Sequence, residues 1–259
     1  MTCCLGAARV AVTAAHSWID RGVPGRHAAG MSVAALLRDG FAIGQSTVRV
    51  LRDSGKTREI HRVGELTGQR RFRQLLTQVA GTAEGRRLLA ERPELTAARV
   101  DFARLRRLPR GSLGAAYVGH LDGYGLTANV EDTATILVED PDVAYLMRRG
   151  RQVHDVWHVL LGLGITGHEE VLVHCFTYGQ LRLPVSAMII FFGSIKHFVL
   201  EQRWAALRRS PLEAYRIGQA AALLMPVIWE DLWEQPLERV RAAYGIRPVD
   251  RAPFAETTS

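Results

Sequence analysis

An all-α fold, arranged as a single multi-helix domain, is predicted by three features of the chain. Apolar residues recur at spacings of three and four, cap and breaker residues bracket those segments, and strand-like alternation is scarce. The segment "VAALLRDGFAIGQSTVRVLR", residues 33–52, opens the helical pattern. Next, "VGELTGQRRFRQLLTQVA" sets Phe72, Leu75, Leu76 and Val79 on one face and a strongly basic surface on the other. "GTAEGRRLLAERPEL" offers Thr82 as an N-cap and stops at Pro93, and Pro109 with Gly111 punctuates the approach to "SLGAAYVGHL". "TATILVED" reads as an extended linker, with a short strand as the alternative. The acids and Pro141 of "EDPDVAYLMRRGRQVHDVWHVLLGLG" suit a first helical turn, and its closing glycines suit a stop. A last helix in "PLERVRAAYGIRP" ends at Gly245 and Pro248.

With 259 residues, 47% of them hydrophobic, the chain is long enough to bury a sizeable core. Residues 1–32 and 248–259 read as tails around a domain spanning 33–247. The start is a poor secretory signal because Arg9 interrupts its weakly apolar stretch. The longest apolar run elsewhere, "LPVSAMIIFFGSIKHFVL", is interrupted by Lys196 and His197 short of the ~20 residues a bilayer span requires. No transmembrane helix is expected. Adjacent Cys3 and Cys4 with a lone Cys175 build no disulfide framework and suit a reducing, intracellular compartment. The formal charge of +7 favours anionic partners. Its arginines are dispersed, with no aromatic-interleaved binding motif, so nucleic acid is not an expected partner.

One stretch concentrates chemistry. "RQVHDVWHVLLGLGITGHEE", residues 151–170, holds three histidines and three acidic residues around a glycine-rich break. On a helix His154 and His158 lie one turn apart on the same face, and Asp155 reaches the edge of that face. Glu170 would stand ~18 Å beyond His158 on a continuous helix, too far to share a cation. Gly162, Gly164 and Gly167 allow the chain to turn back and bring Glu170 against the first helix. Two imidazoles and two carboxylates suit one divalent metal ion such as zinc, iron, manganese or cobalt. The alternative is a plain helix hairpin with half-buried histidines and solvated acids. A phosphohydrolase built on the adjacent His-Asp pair would need further ligands from other helices, and no second cluster is evident in the sequence.

The run H-D-x-x-H-x11-E at His154, Asp155, His158 and Glu170 resembles the signature of the coenzyme Q (ubiquinone) biosynthesis protein 4 family. "GELTG" at 64–68, "LLAERP" at 88–93, "LPRGSLGAAYVGHLD" at 108–122, "VHDVWHVLLG" at 153–162, "LPVSAMIIFFG" at 183–193 and "WEQPLERVRAAYGI" at 233–246 follow in the family's order. The resemblance implies an all-helical protein peripheral to a membrane, with a metal held by those four residues. It also implies an apolar, lipid-lined cleft and a late role in ubiquinone assembly. In the sharper form of that role, the ring carboxyl of a polyprenylated hydroxybenzoate is replaced by hydroxyl in a metal-dependent oxidative decarboxylation. The alternative is a non-catalytic prenyl-lipid-binding scaffold that organises other quinone-biosynthesis enzymes. Expected partners are a prenylated aromatic or quinone lipid, those enzymes and a membrane surface, and a homodimer is compatible with the sequence. The location implied is the cytoplasmic face of a bacterial membrane, or the matrix side of the mitochondrial inner membrane in a eukaryote.

Further site residues follow from this reading. Arg149 and Arg151 flank the metal helix and are candidates to bind a substrate carboxylate, or are solvated arginines near a helix start. Met188, Phe191 and Phe192 are candidates to line the prenyl cleft, with a buried core helix as the alternative. His168, Glu169 and His174 are candidate partners of the metal ligands, against a reading as a polar helix start. Basic faces at Arg70, Arg71 and Arg73 and at Arg106, Arg107 and Arg110 suit lipid head groups or water. Two stretches depart from the family pattern: "GHLDGYGLTANVEDT" at 119–133 and "DSGKTREIHRV" at 53–63. Both are placed to shape a head-group site.

Overall fold

The computed structural model describes residues 57–126, 135, 137–195 and 204–250. These form ten α-helices and one 3-10 turn, with no strand among the described residues. The helices are α1 (Thr57–Ala80), α2 (Ala83–Glu91), α3 (Phe102–Arg107), α4 (Leu113–Tyr124), α5 (Pro141–Gln152), α6 (His154–Leu161), α7 (Gly167–Leu181), α8 (Pro184–Ile195), α9 (Trp204–Ala220) and α10 (Leu237–Tyr244). The helical pattern expected over 33–52 lies outside the described residues, as do Thr133, Ala134 and Ile136 of "TATILVED", whose other five residues form no strand.

Local signals set the helix ends. Thr82 Oγ1 accepts from the Gly85 N–H at 2.9 Å, and Ser112 Oγ accepts from Ala115 at 3.2 Å. The Asp140 carboxylate accepts from both Asp142 and Val143, satisfying free N–H groups just where Pro141 has none to offer. Arg92 and Arg182 end α2 and α7 in the left-handed region, a conformation that turns the chain out of the helix just before Pro93 and Pro184. The segment that reads as one helix from Pro141 to the glycines breaks at Val153, whose φ of −87° and ψ of 0° divide α5 from α6. That break separates the helix that carries His154 and His158 from the arginine-bearing helix before it.

The centre of the molecule is α7, packed against α8 on one flank and α9 on another. The α7 and α9 backbones nearly touch at Gly179 and Gly218: a Cβ on Gly218 would lie 2.3 Å from the Phe176 carbonyl oxygen. Only glycine admits that approach. Gln180 locks the crossing, donating to Gly218 O at 2.7 Å and accepting from Leu224 N at 3.0 Å. Helix α6 is buried almost all round, with Val156, Trp157, His158, Leu160 and Leu161 in the core. Its last carbonyls need partners, and the buried Arg241 of α10 supplies them: Nε donates to Leu160 O and Nη2 to Val159 O, both at 2.8 Å. A cleft of about 370 Å³ opens beside α2, lined by Glu91, Arg92, Pro93, Glu94, Arg99, Val100 and Glu230. Its lining is largely polar and includes none of the predicted metal ligands.

Candidate metal centre

Three of the four motif residues converge. Helix α6 ends at Gly162, whose φ of +68° lets the chain reverse, and the N–H of Leu163 returns to His158 O at 3.0 Å. Helix α7 then starts at Gly167. Glu169 organises this turn, its carboxylate accepting from Gly164 N at 2.9 Å, Thr166 N at 3.2 Å and Thr166 Oγ1 at 2.7 Å. Glu169 is therefore a cap, and His168 lies against the same Thr166 hydroxyl at 3.1 Å. Glu170, one residue on, projects to the facing helix. His154 Nε2 lies 3.3 Å from Glu170 Oε2, His158 Nε2 lies 3.4 Å from Glu170 Oε1, and the two Nε2 atoms are 3.1 Å apart.

These atoms make a triangle of the right size for a cation. Bonds of about 2.1 Å in a tetrahedral site imply edges of about 3.4 Å between donors. The tautomers also suit one: His158 Nδ1 sits 2.8 Å from the Gly164 carbonyl, so it carries the proton and leaves the Nε2 lone pair free. Two imidazole nitrogens aimed at one point beside a carboxylate repel unless a proton or a cation lies between them. Asp155 stands outside this close group, which consists of His154, His158 and Glu170. Its charge still reaches His154, His120 and Tyr117.

The electrostatics bind the three residues into a unit. Burial works to raise the Glu170 carboxyl, but the interactions with His154 and His158 outweigh it and hold the carboxyl well below its ordinary value. For His154 burial works downward, and the Glu170 carboxylate overcomes it to raise the imidazole. The first turn of α7 places Glu170 at the positive end of a helix dipole, which favours the same anion.

His174, a candidate partner from the sequence, is joined by two histidines that the sequence reading did not assemble. The His174 ring of α7 lies 5.5 Å from the His154 ring, its Nδ1 3.3 Å from Ser186 Oγ on α8. Burial first, and His154 second, lower His174 to about 3. His120 of α4 sits with its ring 5.4 Å from that of His158. His61 of α1 is lowered to about 4 by burial and then by Arg151 and His154. His61 and His120 come from the two stretches that depart from the family pattern. No spacing rule could have grouped His61 and His120 with the motif, because each arrives on its own helix.

The two arginines have other engagements. Arg149 is 1% exposed and grips Glu230 with both terminal nitrogens, at 2.7 and 2.6 Å, while Nη1 also reaches Pro93 O. It joins α5 to the turn at Trp229–Leu232. Arg151 pairs with the buried Glu65 of the "GELTG" run at 3.3 Å, and Glu65 also accepts from Leu137 N. Of the basic faces, Arg71 donates to Leu181 O and Arg106 forms a fork with Asp122, whereas Arg70, Arg107 and Arg110 are exposed. On α8, Met188 and Phe192 are half-buried and Phe191 is 61% exposed, so this apolar helix is not sunk in the core. No described helix is long and apolar enough to cross a membrane.

Comparison with known proteins agrees with this architecture. The family model for coenzyme Q (ubiquinone) biosynthesis protein Coq4 matches residues 32–250. A mitochondrial ubiquinone biosynthesis protein COQ4 of Coprinopsis cinerea is 30% identical over 71% of the chain, and the match spans 62% of that protein's length. The homologue from Drosophila ananassae is 34% identical over 80% of the chain and 77% of its own, and that from Bos taurus 34% identical over 71% and 69%. The crystal structure of a candidate ubiquinone biosynthesis protein from Nostoc punctiforme shares the fold with a TM-score of 0.64, at 21% identity, over 80% of this chain and 97% of that one. On the family match and the curated relatives together, the chain belongs to the coenzyme Q (ubiquinone) biosynthesis protein Coq4 family.

Proposed function

We propose that this ubiquinone biosynthesis protein is a metal-dependent enzyme that replaces the ring carboxyl of a polyprenylated hydroxybenzoate by hydroxyl. The observation that carries this reading is the triangle of His154 Nε2, His158 Nε2 and Glu170 carboxylate, with edges of 3.1 to 3.4 Å. These three residues would hold one divalent ion, with Asp155 adding a second carboxylate beside them. The ion, when bound, supplies Lewis acidity toward a carboxylate or phenolate and, if it is iron, manganese or cobalt, redox capacity. The overall change takes one oxygen atom from dioxygen while an external two-electron reductant and two protons carry the other to water: ArCO2H plus O2 plus 2e− plus 2H+ becomes ArOH plus CO2 plus H2O.

The chain's own residues have defined tasks. His158, anchored through Nδ1 to Gly164 O, keeps its Nε2 aimed into the site. Glu170 holds negative charge there across the neutral pH range because His154 and His158 stabilise it. His174, kept neutral by burial, closes the His154 side against α8. The half-buried Met188 and Phe192 and the exposed Phe191 suit an isoprenoid chain leaving the site along α8, where a membrane surface would continue the apolar path. The paired states of Arg149 and Arg151 favour structural tasks over contact with substrate.

The test is turnover of a prenylated 4-hydroxybenzoate by purified protein, together with metal content by elemental mass spectrometry. Wild type should carry about one equivalent of metal and release carbon dioxide. His158→Ala and Glu170→Ala should lose both while keeping helical circular dichroism. Full turnover by His158→Ala would refute the reading. Stoichiometric prenyl-lipid binding with no turnover under any metal would replace it with the scaffold role.

A further inference from the structure

His120 is half-buried, but its Nε2 is shielded from solvent and has no hydrogen-bond partner among the described residues. Leaving a buried polar atom unpaired costs free energy, so each such atom calls for a physical account. Some others in the molecule have simple ones. Arg148 and Arg149 leave Nε idle while pairing through their terminal nitrogens with Glu94 and Glu230, and Trp157 and Trp229 are indoles sunk in the core. His120 has no second pairing through another nitrogen of a fork and is not a core residue.

Its surroundings point to the metal triangle. Helix α4 packs on α6, which places the His120 ring 5.4 Å from the His158 ring at a tilt of 34°. Tyr124, one turn further along α4, stands edge-on at 5.0 Å and supports the other side of the ring. All four motif residues, His154, Asp155, His158 and Glu170, act electrostatically on His120. Yet no His120 nitrogen joins the close donor group. His120 is thus near enough to touch a molecule bound at the centre and too far to be one of the three donors.

We propose that His120 Nε2–H is the hydrogen-bond donor to the anionic oxygen of a carboxylate or phenolate ligand occupying the open side of the centre. This rests on the metal reading above and deepens it by naming the contact that orients the incoming aromatic acid. Three protein donors leave a coordination position for an exogenous group. An oxygen anion there satisfies the orphan nitrogen with a charge-assisted hydrogen bond, which is stronger than a neutral one and directional. The same bond selects aromatic acids or phenols over neutral ring compounds.

The test uses full-length protein loaded with Co2+, whose visible absorption reports its coordination, titrated with 4-hydroxybenzoate. Wild type, His120→Phe, His120→Ala and His120→Gln are compared, with circular dichroism confirming the fold of each. The expected result is Co2+ affinity within a few-fold of wild type in all variants. Affinity for 4-hydroxybenzoate should fall about tenfold to a hundredfold in the Phe and Ala variants and be partly restored by Gln, whose amide can donate. Unchanged 4-hydroxybenzoate affinity in the Phe and Ala variants would overturn the role of His120 alone. Loss of Co2+ from those folded variants would make His120 a metal donor and likewise overturn it. Failure of the wild type to take up Co2+ would overturn the metal reading and this proposal with it.

Discussion

Arg149 and Arg241 show how single side chains in this protein are committed before chemistry begins. Both are arginines near the metal helix, and both are spent on buried partners: Arg149 on the Glu230 carboxylate and Pro93 O, Arg241 on the carbonyls of Val159 and Leu160. Replacing Arg149 by Ala leaves Glu230 without its ion pair and should destabilise the protein by about 3 kcal/mol, with Lys a poor rescue because it cannot form the fork. A urea midpoint close to wild type would show the pair to be dispensable. Arg241→Met keeps the aliphatic stem but removes the guanidinium donors to Leu160 O and Val159 O, the latter keeping the Gly162 N–H, and should cost about 2 kcal/mol in the same assay. The sequence offered Arg149 as a substrate ligand because charge and position were all it displayed. Which carboxylate an arginine meets depends on a residue 81 positions away.

At the scale of elements, the crossing of α7 and α9 governs where Glu170 and His174 sit. Gly218→Ala improves intrinsic helix propensity by about 1 kcal/mol, yet its new methyl group would press on the Phe176 carbonyl from 2.3 Å. The clash should prevail, for a net loss of about 1 to 2 kcal/mol read as a lowered melting temperature. An unchanged or raised melting temperature would mean that the two helices separate without penalty. Helix ends were legible in advance at Thr82, Pro93, Pro141 and Gly245, because capping is a local contract between neighbours in sequence. The break at Val153 was not legible. Valine there carries no breaker chemistry, and its ψ of 0° comes from packing α5 and α6 against different partners.

For the whole molecule, a cluster of buried histidines makes stability depend on pH. His174 protonates near 6.5 when unfolded but only near about 3 in the fold, because burial and then His154 disfavour its charged form. Between those values the unfolded chain binds the extra proton, so acidification removes stability. His61, lowered to about 4, acts in the same direction. So does Glu170, whose depressed carboxyl stabilises the fold above its unfolded value and ceases to as pH falls. His154 opposes them, since its raised value stabilises the fold in acid and the contribution is lost as pH rises. Between pH 6.5 and 4 the His154 contribution is already complete and that of Glu170 still largely present, so the lowered histidines His174, His61 and His120 predict that the urea midpoint of metal-free protein declines over that range, with a shallower decline in His174→Gln. Equal slopes for the two proteins would remove His174 from this account.

By itself the sequence determined the helical class, most helix ends, the family and the hairpin partnership of His154 and His158 with Glu170. All of these rest on short-range spacing or on a motif within seventeen consecutive residues, from 154 to 170. The tertiary structure alone decided that Asp155 stands outside the tight donor triangle, that Arg149 and Arg151 answer to Glu230 and Glu65, and that His61 and His120 join His174 round the same point. Those facts depend on contacts between helices far apart in the chain, and such contacts follow from how apolar faces share one core rather than from any local pattern of residues.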